Sequence, residues 1–82
     1  MKRKKTLSIV EHAFLQDPRG NQLPASVPSA PPGFRMRRLF YWWVTDDWGY
    51  RLAVLHPPAH SRDEAERVAD ELCRRHGWLR PA

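Results

Sequence analysis

LFYWWVTDDWGYRLAVLHPP, Leu39–Pro58, sets four consecutive aromatic residues, Phe40 to Trp43, ahead of a turn and a second apolar run. Thr45 to Tyr50 has the composition of a type I turn, with Asp46 placed to accept a turn amide and Gly49 suited to the left-handed position of a bulge. Two apolar runs around such a turn predict a β-hairpin. With Asp46 facing Tyr50, the expected pairs are Thr45 with Arg51, Val44 with Leu52, Trp43 with Ala53, Trp42 with Val54 and Tyr41 with Leu55. Pro57 and Pro58 should end the second strand.

Strand alternation then sends Phe40, Trp42, Val44, Leu52 and Val54 to one face and Leu39, Tyr41, Trp43, Ala53 and Leu55 to the other. Both faces are apolar, and the segment after the hairpin has to cover at least one.

That segment, SRDEAERVADELCRRHGW, reads as a helix over Arg62–His76. Ser61 and Glu64 fit a capping box, acids crowd the first half and arginines the last, and Gly77 with Trp78 suits a left-handed carboxyl cap. The apolar stripe of Ala65, Val68, Ala69, Leu72 and Cys73 is narrow and built mostly of small side chains, which lets a helix approach a sheet closely. It should cover the Phe40 and Trp42 face, the more uniformly hydrophobic of the two.

Upstream, QDPRGNQLPASVPSAPPG, Gln16–Gly33, contains five prolines and no aromatic residue. Prolines at that density favour extended backbone and remove donors, so the stretch reads as a linker. The chain divides into a basic tail with a short amino-terminal element (1–15), the Pro-rich linker (16–35) and a ββα unit (36–82). The fold class is α+β, a small single domain of antiparallel hairpin then amphipathic helix. The segment Leu7 to Leu15, helix or strand, is either docked on it or swapped in a dimer. A chain beginning at Met36 would contain the whole hairpin and helix.

Eighty-two residues allow one domain, and a chain this short buries only about 60 to 65% of its unfolded surface. The single cysteine, Cys73, makes no internal disulfide and points to a reducing, cytoplasmic setting. Glu11 and His12 interrupt the apolar stretch a signal peptide would need, and no run is long enough for a membrane span. Help with stability should come from oligomerisation or a partner.

The net charge of +5 is unevenly placed: residues 1–35 carry +4 and residues 36–82 carry +1. Basicity belongs to the tail, which offers attraction to phosphates or acidic surfaces more than recognition. Enzyme chemistry finds little support. The spacing HPPAH followed by CRRH resembles two zinc ligand pairs, but a helix between them would separate His60 from Cys73 by roughly 20 Å. Adjacent Asp46 and Asp47 are explained by the turn. There is no phosphate-binding glycine loop or nucleophile elbow. Neither a metal nor a cofactor is expected.

The second hairpin face therefore carries the functional expectation. It is covered by the amino-terminal segment, by a second copy in a homodimer, or by a partner. The leading expectation is a non-enzymatic binding protein acting through protein contact, a small regulator or inhibitor of a larger assembly. By size and composition it is of the bacterial or phage accessory and anti-defence kind. Its docking residues would be Leu39, Tyr41, Trp43, Arg51 and Leu55, since Tyr, Trp and Arg are the usual anchors. The alternative is nucleic-acid binding, with Lys2, Arg3, Lys4 and Lys5 on phosphates, Arg37 and Arg38 extending that surface, and Tyr41 or Trp43 stacking bases.

Overall fold

The spacing Asp-x-x-Gly-x occurs twice, and each occurrence closes a hairpin. In the computed structural model, which describes residues 4–81, the Asp46 carboxylate accepts the amides of Trp48 and Tyr50, both at 2.9 Å. The Asp17 carboxylate accepts those of Arg19 and Asn21 at 3.0 and 2.8 Å. Gly49 (φ 83°) and Gly20 (φ 90°) take the left-handed position that lets each chain re-enter its strand. The first turn joins β1 (Thr6–Gln16) to the three-residue β2 (Gln22–Pro24), and the second joins β3 (Arg35–Thr45) to β4 (Arg51–Ala59).

β1 and β3 then pair antiparallel along their full lengths, from Thr6 opposite Thr45 to Gln16 opposite Arg35. The result is a four-stranded antiparallel sheet in the order β2-β1-β3-β4. The amino-terminal segment is thus a strand at the centre of the sheet. A chain beginning at Met36 would lack it, and with it Leu7, the largest fully buried side chain. Within the stretch read as linker, Gln22–Pro24 is also a strand, held to Phe14–Gln16.

The helix α1 (Arg62–His76) has the expected ends: the Ser61 hydroxyl accepts the Glu64 amide at 3.2 Å, and Gly77 closes it at φ 71°. It packs Ala65 and Ala69, both fully buried, against Leu7, Phe40, Trp42 and Val44. Small helix residues against large sheet residues allow one further link, because the Trp42 indole Nε1 donates to the Ala65 carbonyl at 3.1 Å. After the helix the chain returns to the sheet: Leu79 exchanges backbone hydrogen bonds with Lys5 and Leu7 at 2.9 and 2.8 Å. Arg80 clasps Glu66 and Asp70 at 2.6 and 2.8 Å, pinning that return to the helix.

One local irregularity changes the expected faces. Thr45 does pair with Arg51, but Val44 pairs with Ala53, Trp43 with Val54 and Trp42 with Leu55. Leu52 is the extra residue of a β-bulge, so every later side chain of β4 changes face. Ala53 and Leu55 turn toward the helix, where Leu55 packs against the core, and Val54 turns away from it. A second shift between Phe40 and Trp42 brings Ala59 opposite Phe40, beside Pro57 and Pro58, which have no ladder donors to offer.

The helix, about 22 Å long, is shorter than its sheet, whose 11-residue central strands run about 36 Å. The molecule measures 55 × 23 × 21 Å, and the helix covers one end of the sheet and leaves the ribbon end beyond it. Phe14 and Leu15, buried at the ribbon end, lie outside the core cluster built on the helix.

Candidate functional site

Because α1 lies on one side of the sheet, the other side is open, and the register assigns its residues. Val10 lies opposite Tyr41, His12 opposite Leu39 and Ser8 opposite Trp43, while Val54 stands opposite Trp43 on the far side. Val10, Tyr41, Trp43 and Val54 line a shallow cleft of about 340 Å³ with Arg51, His12 and His56, and Glu11 at its rim. Its rings are packed by their own neighbours. The Arg51 guanidinium lies 4.8 Å from the centre of the Trp43 ring, and His56 meets Tyr41 edge-on at 5.3 Å. His12 stacks on Phe14 at 5.4 Å, continuing the surface toward the ribbon end.

Of the residues expected at a docking face, Tyr41, Trp43 and Arg51 are brought together, and Leu39 lies beside them opposite His12. Leu55 is not among them: the Leu52 bulge puts it under the helix, and Val54 takes its place. Val10, His12 and His56 are additions. Alternation along β1 finds Val10 and His12 once the segment is read as a strand, whereas nothing in the sequence marks the bulge that delivers Val54 and His56.

The charge on this face is as specific as its rings. Arg35, Arg37, Leu39, Tyr41 and Trp43 alternate down one side of β3, about 6.6 Å apart. Among the described residues, the strand positions of β1, β3 and β4 on the open face hold Arg35, Arg37 and Arg51 and no carboxylate. The acids lie elsewhere. Glu11 is opposite Phe40 on the other face, where it pairs with Arg38 at 3.6 Å; five sit on α1; and Asp17, Asp46 and Asp47 belong to the turns. The near-neutral total of residues 36–82 is therefore unevenly laid out: α1 mixes its five acids with Arg62, Arg67, Arg74 and Arg75, whereas the open-face strand positions carry Arg37 and Arg51 with no acid beside them. Arg38 belongs to the helix side and Arg37 to the open face; Lys4 and Lys5 are exposed, and Lys2 and Arg3 lie outside the described residues.

Among the described residues no three His, Cys, Asp or Glu side chains gather as metal ligands. Burial pushes the Cys73 thiol up from its ordinary value. No helix of the described residues is long and apolar enough to cross a membrane.

No protein-family model matches the chain, and no curated protein or solved structure shows significant similarity to it.

Proposed function

We propose that the protein works by binding, as a small regulator or inhibitor of a larger assembly, and that the open sheet face is its docking surface for a protein partner. The observation that carries this reading is an aromatic and aliphatic sheet face, Val10, Tyr41, Trp43 and Val54, that no element among the described residues covers. Tyr, Trp and Arg concentrate binding energy because they desolvate large areas at little entropic cost, and here Trp43 and Arg51 already hold each other in place. Among the described residues the strand positions of this face carry arginines and no carboxylate, with Glu11 only at the rim of the cleft, and this selects the partner's character: an apolar centre flanked by acidic groups that meet Arg35, Arg37 and Arg51.

Nucleic acid is the second reading, favoured by the row of Arg35 and Arg37 running into Tyr41 and Trp43. It ranks below the first because base stacking needs open ring faces, and Arg51 lies over Trp43. A photo-crosslinking amino acid at position 41, with a control at the exposed Arg67 of the helix, tests the pair of readings in cells that make the protein. A protein adduct formed from position 41 and not from position 67, and lost on Arg51→Glu, supports the leading reading. Equal adducts from both positions, or none, refute it. Salt-sensitive binding of single-stranded oligonucleotides that is lost on replacing Arg35 and Arg37 by serine establishes the second reading instead.

A further inference from the structure

The sheet has two outer edges. At one, β2 is three residues long and ends in Pro24, so it is blunted; at the other, β4 runs from Arg51 and meets prolines only at its end. The register tells which amides of β4 point outward. Leu7 donates to Leu79, away from β3, so the odd residues of β1 face outward and the even ones face β3. Even residues of β3 then face β4, in keeping with the Asp46 amide bonded to the Tyr50 carbonyl. Ala53 and Leu55, opposite Val44 and Trp42, spend their backbone groups on β3, leaving those of Val54 and His56 directed out of the sheet.

The two ends of this edge are complementary. At its start Tyr50 is 71% and Leu52 is 52% exposed, unusual for residues of this size. At its other end, between β4 and α1, lies an apolar cleft of about 360 Å³ lined by Trp42, Leu55, Pro57, Pro58, Val68 and Leu72.

We propose that β4 pairs antiparallel with β4 of a second copy, about a two-fold axis through Val54. This register places the outward-facing amide of Val54 against its counterpart, with the outward-facing His56 across from the bulge at Leu52. It also sets Tyr50 opposite Pro58, so the exposed ring and Leu52 of each copy reach the apolar cleft of the other. Pro58, which has no N–H to contribute, falls where the pairing ends. The same operation on β1 fails, because Leu79 and β2 occupy the flanks of its outer edge. A two-fold axis normal to the sheet keeps both open faces on one side of an eight-stranded sheet and both helices on the other, so the dimer uses neither Tyr41 nor Trp43. It shares Val54 and His56 with the open-face cleft, whereas Tyr50 lies outside that cleft.

Sedimentation equilibrium of the full chain, with amide exchange followed by NMR, tests it. The expected result is a dimer in which the Val54 and His56 amides are protected and lose that protection on dilution. Val54→Pro deletes an outward donor from each copy and should weaken association by roughly ten- to a hundredfold with the far-UV spectrum unchanged. Tyr50→Lys, at a position outside the core, should weaken it as well and serves if the proline variant does not fold. A monomer at high micromolar concentration, a dimer that neither variant weakens, or rapid exchange of both amides at that concentration overturns the proposal.

Discussion

Replacing Trp42 and Trp43 in turn by phenylalanine tests the division of the sheet into a packed and an open face, because the two residues are adjacent and differ only in the side they take. Trp42 is 4% exposed, sits in the core cluster and donates its indole N–H to the Ala65 carbonyl. Phenylalanine leaves a cavity where the second ring was, costing about 1–2 kcal/mol, and deletes a buried hydrogen bond worth about 1 kcal/mol. The Ala65 carbonyl keeps its helical partner, so no orphaned acceptor adds to the sum. The total, about 2–3 kcal/mol, is a large share of the roughly 4–12 kcal/mol expected for a chain of this length. At Trp43 phenylalanine preserves a ring beneath Arg51 and weakens a partly exposed cation–π contact, for a loss below about 1 kcal/mol. Urea unfolding followed by far-UV circular dichroism, at one protein concentration so that any association is held constant, reads the difference. With a slope of about 1 kcal/mol/M, the Trp42 variant should shift the midpoint down by about 2–3 M and the Trp43 variant by less than about 1 M. Equal shifts, or a larger one at Trp43, would refute the assignment of faces.

Two further perturbations probe the chain's local devices. The Asp17 carboxyl is held below its ordinary value of 3.8, chiefly by the Asn21 side-chain amide and then by turn amides. A lowered carboxylate contributes stability above its unfolded value and loses it as pH falls through the folded one. Asp17→Asn should therefore flatten the part of the stability curve below about pH 4 in an acid titration of the melting temperature. Ser61→Ala removes the acceptor for the Glu64 amide and should cost about 1 kcal/mol in the same unfolding assay, with Ser61→Asp restoring most of it.

The parts of the fold legible from sequence are those whose causes are local. Ser61, Glu64 and Gly77 specify the helix ends within a few residues, and Asp46 and Gly49 specify one turn in the same way. The same spacing at Asp17 and Gly20 is masked because five nearby prolines give the stretch the composition of a linker; composition averages over a turn that two residues decide. β1 is ambiguous for a different reason. Leu7, Val10 and Phe14 satisfy a helical period as well as Leu7 and Ile9 satisfy a strand's, and only the partner β3, about 30 residues away, selects between them. The bulge at Leu52 has no local signature either. It arises where a tight turn must be reconciled with the packing of Leu55 under the helix, and it alone moves Leu55 out of the candidate site and Val54 in. Tyr41, Trp43 and Arg51 are legible because β3 is regular at that point and Arg51 precedes the bulge.

The pairing of β1 with β3 also sets an order of events during synthesis. β1 leaves the ribosome first, yet its partner ends about 30 residues later, a delay of roughly 1.5 to 6 seconds at ~5–20 residues per second. Through that interval a strand bearing Leu7, Ile9, Val10, Phe14 and Leu15 is in solution without the element that will flank it. Only the end nearest β2 can be sheltered early, since the Asp17 turn closes at once and needs nothing downstream of Pro24. The nascent chain is thus most exposed to misassociation at Leu7 to Val10, the segment that holds the fully buried Leu7 once β3 and the helix arrive.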